Sequence, residues 1–186
     1  MLQRLFLTLI LTTTIVRAER PGIVLITVDG LGWGDLSASG NAQVATPRMD
    51  KFLAESAVLK DFHVSPLDAP SRAGVWGCHS GRNRLKAGVL TLAGHLKAAG
   101  YTTGLFGTWA LGDNHPSRPQ DHGYDQILTH PGSTPGSVAD FYSNDGTDDL
   151  WILNGEPTPR TGANLDVSFG TAQGFIAKNT ALPFFC

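Results

Sequence analysis

Two glycine-rich loops hold the side chains best placed for chemistry. The first, residues 29–35 (DGLGWGD), begins at Asp29, directly after an apolar, β-branched run over 23–28. The second, residues 107–112 (GTWALG), follows another apolar run over 101–106. Sites in open α/β sheets form at the carboxyl ends of the strands. Both loops are therefore predicted to border a site, where Asp29 either contacts a metal ion or binds the backbone amides of its own loop.

A proline-rich loop supplies a second acid and a base. Asp68 and Arg72 stand four residues apart within residues 65–72 (SPLDAPSR), and a short helix is predicted to begin near Ser71. Asp68 could act as a carboxylate nucleophile, or it could be a loop residue that caps the helix. Arg72 could bind an anion or form a structural salt bridge, and the same two alternatives apply to Arg82.

Cysteine and histidine form no zinc-type cluster in this sequence. Cys78 and Cys186 lie outside any C-x-x-C motif, and the six histidines show no H-x-x-x-H spacing. We predict that the two cysteines do not pair. His115 and His122 fall in the loop after Gly112, and each could face a site.

The composition indicates one globular domain and argues against a nucleic-acid partner. Of the 186 residues, 41% are hydrophobic and 16% are charged, and the formal net charge is -2. This length and apolar content suffice to bury a core. Because the charge is near zero, no positive field would attract nucleic acid.

Residues 1–18 are predicted to be a signal peptide. Arg4 gives a basic start, an apolar run follows over 5–16, and Val16 and Ala18 are small residues where a signal peptidase cleaves. The run is too short to span a bilayer as a permanent helix. We therefore expect a secreted or periplasmic protein that is not an integral membrane protein, with a mature domain over 19–186.

The mature sequence alternates between strand and helix patterns. Strands are predicted over 23–28, 58–64 and 101–106, and helices are predicted from Pro47 and over 91–99. This order predicts an α/β fold with a mainly parallel sheet flanked by helices.

The second half of the sequence is predicted to be less regular. Prolines scattered over 113–160 indicate a long irregular excursion, which includes a hairpin turn at Asn154-Gly155. Two further elements are predicted near the C-terminus: an apolar strand over 182–186, and a helix over 167–178 whose inward residues are Phe169, Ala172, Phe175 and Ile176.

Several ordered motifs resemble the opening of the sulfatase family. They are the blocks 20–26 and 29–36, TPRMD at 46–50, FHVSPLDAPSRA at 62–73, SGR at 80–82, and KAAGYTTGLFG at 97–107, which continues to Trp109 and to GYD at 123–125. The resemblance covers residues 20–186 and corresponds to the N-terminal part of the family's catalytic domain. It implies a truncated domain of the alkaline-phosphatase-like fold.

The resemblance also implies the parts of a sulfate ester hydrolase site. In the family, a cysteine oxidised to formylglycine attacks sulfur, and calcium is held by two early aspartates and a late Asp-Asn pair. Here the nucleophile position is Asp68, and the two early aspartates correspond to Asp29 and Gly30. Arg72 matches the arginine that steadies the nucleophile and the anion.

Four positions depart from the family pattern. An aspartate cannot be oxidised to formylglycine, and Gly30 has no ligand atom, so Asp29 is a residual metal ligand and calcium binding is expected to be weak or absent. Thr108 and Ala110 replace the sulfate-binding lysine and the histidine near the nucleophile. The sequence is therefore expected to be a catalytically degenerate sulfatase homologue.

Two alternatives remain open at this point. One is an active calcium-dependent sulfate ester hydrolase that uses Asp68 or another nucleophile. The other is a non-catalytic module that binds anions, sulfated small molecules or sulfated glycans, with Arg72 as one contact.

Overall fold

The computed structural model describes residues 20–77 and 84–186, which contain four α-helices and five strands. The helices are α1 (Pro47–Ala54), α2 (Asp68–Val75), α3 (Leu92–Ala98) and α4 (Asn164–Lys178). The strands are β1 (Thr102–Phe106), β2 (Gln126–Thr129), β3 (Leu150–Leu153), β4 (Glu156–Pro159) and β5 (Phe184–Phe185). Two short 3-10 helices lie at Ser37–Ser39 and Pro119–His122. None of the helices in these two ranges is long and apolar enough to cross a membrane.

The five strands form one mixed sheet in the order β4-β3-β2-β1-β5. Strands β2 and β5 run parallel to β1, whereas β3 pairs antiparallel with both β2 and β4. The predicted α/β sheet flanked by helices is confirmed, and its parallel part is formed by β2, β1 and the edge strand β5. The antiparallel part comes from the hairpin, since a two-residue turn can join only antiparallel strands.

Strand β2 lies inside the stretch that was predicted to be irregular. It has only four residues, too few to show a periodic pattern, and its position is set by pairing with β1 at Leu105 and Ile127. Asp125 fixes this register, because its carboxylate accepts a hydrogen bond from Thr103 N at 3.0 Å and its own N donates to Thr103 O at 3.0 Å. This strand is a tertiary feature that local sequence did not reveal.

The predicted hairpin turn at Asn154-Gly155 is confirmed. Both residues have positive φ, 51° and 99°, as a two-residue turn with the twist of the sheet requires. Asn154 also binds the neighbouring strand, because its Oδ1 accepts from Ile127 N at 2.8 Å and its N donates to Ile127 O at 2.9 Å. The hairpin is thereby fixed against β2.

The strand predicted over 23–28 is only partly formed. Ile23 makes a single parallel bridge to Phe185, and backbone hydrogen bonds to the C-terminal residues extend only to Leu25. The last of these hydrogen bonds joins Leu25 N to Cys186 O at 2.8 Å. Val24 and Ile26 remain more than half exposed as a result.

The strand predicted over 58–64 is wrong. These residues are irregular and mostly exposed; Leu59, for example, is 72% exposed. A β-branched, apolar run forms a stable strand only where neighbours complete its ladder and cover its face. No described strand lies beside this segment.

The core lies between the sheet and the helices α2 and α3. Four aromatic rings, those of Trp76, Trp109, Tyr124 and Phe185, pack together with centroids about 6 Å apart, most of them edge to face. All four side chains are buried. This cluster supports the loop 107–112 from below.

Helix α4 covers the opposite face of the sheet. Its Phe175 packs on Phe106 and Phe184, with ring centroids 5.3 and 6.2 Å apart. The helix begins three residues before the predicted start, and Phe169, predicted to point inward, is 48% exposed. Phe175 lies on the face that meets β1, and Phe169 does not share that face.

Gly123 follows the 3-10 helix Pro119–His122 and lies close to the backbone of α3. Its φ is +102°, and a Cβ atom there would lie 2.6 Å from both the N and the Cα of Gly94 in α3. Gly123→Ala is therefore expected to lower the free energy of unfolding by about 3 kcal/mol, which combines a left-handed alanine with a backbone clash. Chemical denaturation of both proteins measures this loss.

Gly146 provides the matched control for this substitution. Its φ is +108°, yet a Cβ atom there would meet open space. Gly146→Ala should lower the unfolding free energy by about 1 kcal/mol, from backbone strain alone. Equal losses in the two variants would contradict the close approach of Gly123 to α3.

Candidate functional site

Arg72 joins three of the residues predicted to form the site. Helix α2 carries this side chain inward, where it is only 7% exposed. Its Nη2 donates to the carboxylate of Asp29, and its Nη1 donates to the carbonyl oxygen of Thr108 at 2.9 Å. The loops after residue 28 and after β1 are thus brought together around one buried guanidinium, as the strand-end argument predicted.

Asp68 occupies the first position of α2 rather than the cap. Leu67 holds the cap position, and no side chain caps the helix there. The exposed Asp68 carboxylate lies in the first turn, where the helix dipole favours negative charge. Asp68 is one turn from Arg72, but the guanidinium binds Asp29 instead.

The remaining positions of the family pattern have backbone conformations suited to turns. Gly30 has a φ of +69° and a Cβ atom there would meet open space. Ala110 has a φ of 53°, which is uncommon for a residue other than glycine and is concentrated at functional loops. The loop is held by Trp109, whose indole Nε1 donates to Ser117 O at 2.8 Å.

These residues do not fit a calcium site. Calcium takes six to eight oxygen ligands, several of them carboxylates. The Asp29 carboxylate is already paired with Arg72. Residues 20–77 and 84–186 contain no group of three or more histidine, cysteine or acidic side chains placed to hold a metal ion.

A separate cavity of about 240 Å³ opens on the other side of Trp109. It lies between the loop 112–120, strand β2 and the tip of the hairpin. Asp29, Asp68 and Arg72 do not line it. Its lining includes the side chains of Trp109, Asn114, Gln120, Ile127, His130 and Ile152.

The two histidines predicted to face a site have different surroundings. His115 is exposed and lines the cavity, with its Nδ1 3.2 Å from Asp121. His122 is buried in the core, with its Nδ1 3.2 Å from Val89 O and its ring 6.1 Å from that of Trp109. His122 is therefore a packing residue.

Asp121 neutralises the charges at one edge of the cavity. Arg118 donates to both carboxylate oxygens, from Nε and Nη2, at 3.0 Å each. These hydrogen bonds hold the pKa of Asp121 far below its usual range, with a smaller contribution from His115. Asp121 therefore remains charged and keeps the Arg118 side chain in place.

His130 is a buried residue that the sequence did not single out. It is 4% exposed, and its ring centroid lies 3.7 Å from that of Trp151. Its Nδ1 is 3.3 Å from Asn144 Nδ2 and 3.8 Å from the Asp140 carboxylate. Burial lowers the pKa of His130, against the opposing fields of Asp140 and Asp149. No signal in the sequence pointed to it, since it follows the unpredicted strand β2.

The predictions on Cys78 and Arg82 fall outside the described residues, as does the predicted signal peptide over 1–18. Cys186 carries a free thiol in the structure, and burial raises its pKa to about 11. The predictions on Cys78, Arg82 and residues 1–18 therefore stay predictions. Among the described residues, no partner is bonded to Cys186.

Comparison with known proteins identifies sulfatases in each case. A family model described as Sulfatase matches residues 21–185. Arylsulfatase G of Canis lupus familiaris is 35% identical over 132 residues, which make up 62% of this chain and 24% of that protein. N-acetylgalactosamine-6-sulfatase of Mus musculus is 32% identical over 138 residues, covering 61% of this chain and 26% of that protein. This chain therefore spans about a quarter of these relatives.

Solved structures share the fold. The PsFucS1 sulfatase from Pseudoalteromonas sp. superposes with a TM-score of 0.72 at 19% identity, over 90% of this chain and 43% of that one. BT4656, solved in complex with its substrate D-glucosamine-2-N,6-O-disulfate, gives a TM-score of 0.71 at 21% identity, over 90% of this chain and 33% of that one. The alkaline-phosphatase-like architecture expected from the resemblance is thereby supported.

Because His130 is buried, we predict that the free energy of unfolding falls in acid. Because its pKa is lower in the folded chain than the ordinary value of about 6.5, its contribution to stability is complete above that pH and is lost as the pH falls toward the folded pKa. The free energy of unfolding should fall between pH 7 and pH 5, and His130→Gln should flatten this slope. Urea denaturation across that pH range measures it.

His95→Gln is the matched control. His95 is exposed on α3, so its replacement should leave the slope unchanged. If both variants retain the slope of the original protein, His130 is not the group responsible.

Proposed function

The chain belongs to the sulfatase family, and we propose that it is a catalytically degenerate member that does not turn over sulfate esters. The observation that carries this proposal is the pairing of Arg72 with Asp29. The carboxylate expected to attract a divalent cation is bound by a guanidinium, and the described residues 20–77 and 84–186 offer no group of three or more acidic, histidine or cysteine side chains placed to hold a metal ion.

The nucleophile position supports the same conclusion. An aldehyde hydrate provides one hydroxyl to attack sulfur and a second to expel sulfate, and Asp68 has neither. A carboxylate that attacked an anionic sulfate would meet like-charge repulsion, with little positive charge beside it. Asp68 is also exposed in the first turn of α2 and makes no ion pair with Arg72.

Two further positions lack the groups that would stabilise a transition state. Sulfate transfer needs positive charge on the sulfate oxygens and a proton for the departing alcohol. Thr108 directs its backbone carbonyl at Arg72, and Ala110 has no titratable group. Each lost donor or charge costs about 3 kcal/mol of transition-state stabilisation, or roughly a hundredfold in rate, although such effects do not add simply.

A second candidate function is non-catalytic binding of a sulfated small molecule or glycan. The relative BT4656 was solved with a disulfated glucosamine as its substrate, which supports this class of ligand. Arg72 is a poor contact for such a ligand, because its guanidinium is already shared between Asp29 and Thr108. We therefore rank this function below the loss of catalysis.

We also propose that the protein is exported. The support is the N-terminal pattern of a basic start, an apolar run and a small residue at position 18. Mass spectrometry of the mature protein from a secreting host would identify an N-terminus at residue 19.

The absence of turnover is tested with 4-nitrophenyl sulfate. The full chain should release no sulfate above background, with or without 1 mM calcium, because the nucleophile and the cation site are both missing. An active arylsulfatase assayed in parallel shows that the conditions support hydrolysis.

Asp68→Asn identifies the source of any activity that appears. Calcium-dependent sulfate release by the original chain that disappears in Asp68→Asn would establish an active hydrolase with a carboxylate nucleophile. That result would overturn the proposal.

The missing cation site is tested by thermal unfolding. A site with a dissociation constant a hundredfold below the calcium concentration would add about 2.7 kcal/mol and raise Tm by roughly 5–10 °C. We expect no rise, since Asp29 is held by Arg72. A rise of several degrees that Asp29→Asn abolishes, and that the exposed control Asp61→Asn retains, would contradict this.

A further inference from the structure

We propose that residues 131–144 form a latch that is closed while His130 is uncharged and opens when the imidazole ring takes up a proton. The latch is the first part of the loop that joins β2 to β3, and it starts directly after His130. The proposal involves neither Asp29 nor Arg72, so it is independent of the loss of catalysis.

Polar contacts, rather than apolar packing, hold this loop to the sheet. In the described stretch 131–149, no apolar side chain is buried, and Val138 and Tyr142 are fully exposed. Asn144 and Asp149 are the buried residues of this stretch, and the buried His130 precedes them. A segment with few buried apolar contacts opens at a low cost in free energy once its polar contacts are broken.

Asn144 fastens the latch to the sheet. Its Oδ1 accepts a hydrogen bond from Leu150 N at 2.9 Å, and its Nδ2 donates to Leu150 O at 2.8 Å and to Asp140 Oδ1 at 3.0 Å. The side chain therefore pairs with the first residue of β3 much as a neighbouring strand would. A change that displaces this amide releases the latch.

His130 lies directly against the same amide. Its Nδ1 is 3.3 Å from Asn144 Nδ2, and its ring packs on Trp151 with centroids 3.7 Å apart. An uncharged ring can keep the lone pair of Nδ1 toward the amide, whereas a protonated ring carries an N–H on both nitrogens. Protonation therefore sets two donors against each other at a place where His130 is only 4% exposed.

The surroundings of the ring favour its uncharged form. Two charged groups act on His130 and support its protonation, Asp140 of the latch and Asp149 before β3. The side chains that face it from β3 and α4, Trp151 and Asn164, do not titrate. Burial outweighs the two carboxylates and lowers the pKa of His130.

Asp140 is not placed to become a close partner of the charged ring. Its Oδ1 is 3.8 Å from His130 Nδ1, which is longer than a hydrogen bond. Its carboxylate is fully buried and accepts from Gly136 N at 2.9 Å and from Phe141 N at 2.8 Å. Turning it toward the ring would break these contacts within the latch. The charged ring is therefore more stable when the latch is open and water reaches it.

The far end of the loop is attached independently of His130. Asp148 N donates to Gly162 O at 3.1 Å, and Asn164 N donates to Gly146 O at 3.0 Å. We therefore expect opening to stop before residue 145. Because His130 and Pro131 also line the cavity beside Trp109, opening the latch would remove part of one wall of that cavity.

Hydrogen exchange of the full chain, followed by NMR from about pH 7.5 to pH 5 and corrected for the intrinsic exchange rate, tests the latch. The amides of Asn144 and Leu150 report opening, since they donate to Phe141 O and to Asn144 Oδ1. The open latch binds a proton that the closed latch excludes. Below the ordinary pKa of about 6.5, protection at these amides should therefore fall by up to about tenfold per pH unit, until the pH reaches the pKa of His130 in the closed latch. The amides of Asp148 and Asp125 should keep their protection, which separates local opening from global unfolding.

His130→Gln removes the titrating group, so protection at Asn144 and Leu150 should no longer depend on pH. His95→Gln, at an exposed position on α3, is the matched control and should retain the response of the original chain. The original chain gives a second test that needs no variant: the NMR signal of the His130 ring should titrate below about pH 6.5.

Three outcomes would overturn the proposal. One is a loss of protection at Asn144 and Leu150 no greater than that at Asp148 and Asp125. Another is a His130 ring that titrates above about pH 6.5, because the closed latch would then prefer the protonated ring and acid would tighten it. The last is a folded His130→Gln variant whose latch still opens in acid.

Discussion

The contact on which this structure depends is the buried guanidinium of Arg72. It donates to the Asp29 carboxylate and to the Thr108 carbonyl, so it holds the segment after residue 28, helix α2 and the loop after β1 at one place. A buried positive charge must be paired, or its desolvation is not compensated. The same pairing joins helix α2 to the loop after residue 28 and occupies the Asp29 carboxylate.

Trp109 lies between the contacts of Arg72 and the cavity lined by the loop 112–120. Its indole belongs to the aromatic core, and its Nε1 fixes the loop that carries Thr108 and Ala110. On its other side it forms part of the cavity. The loop 107–112 therefore contributes to two features at once, because Trp109 belongs to the buried core and also lines the cavity.

The failures of sequence-based prediction share one cause. The run 58–64 has strand-forming residues but no neighbouring strand, and 23–28 is paired only as far as β5 extends. Strand β2, by contrast, has little local signal and exists because β1 and β3 bind it on both sides. Hydrogen bonding between strands is a property of pairs, so it is poorly encoded in either member alone.

The sequence by itself determined the features that depend on nearest neighbours. These are the helix that starts at Pro47, the stop at Gly100 after α3 and the turn at Asn154-Gly155. The residue types at four positions that depart from the family pattern can also be read from the sequence: Gly30, Asp68, Thr108 and Ala110. Only the tertiary structure decided that Asp29 binds Arg72, 43 residues away, and that His130 lies buried against Trp151. Burial and charge pairing join residues far apart in the chain, and their geometry becomes defined only when the sheet and helices have packed.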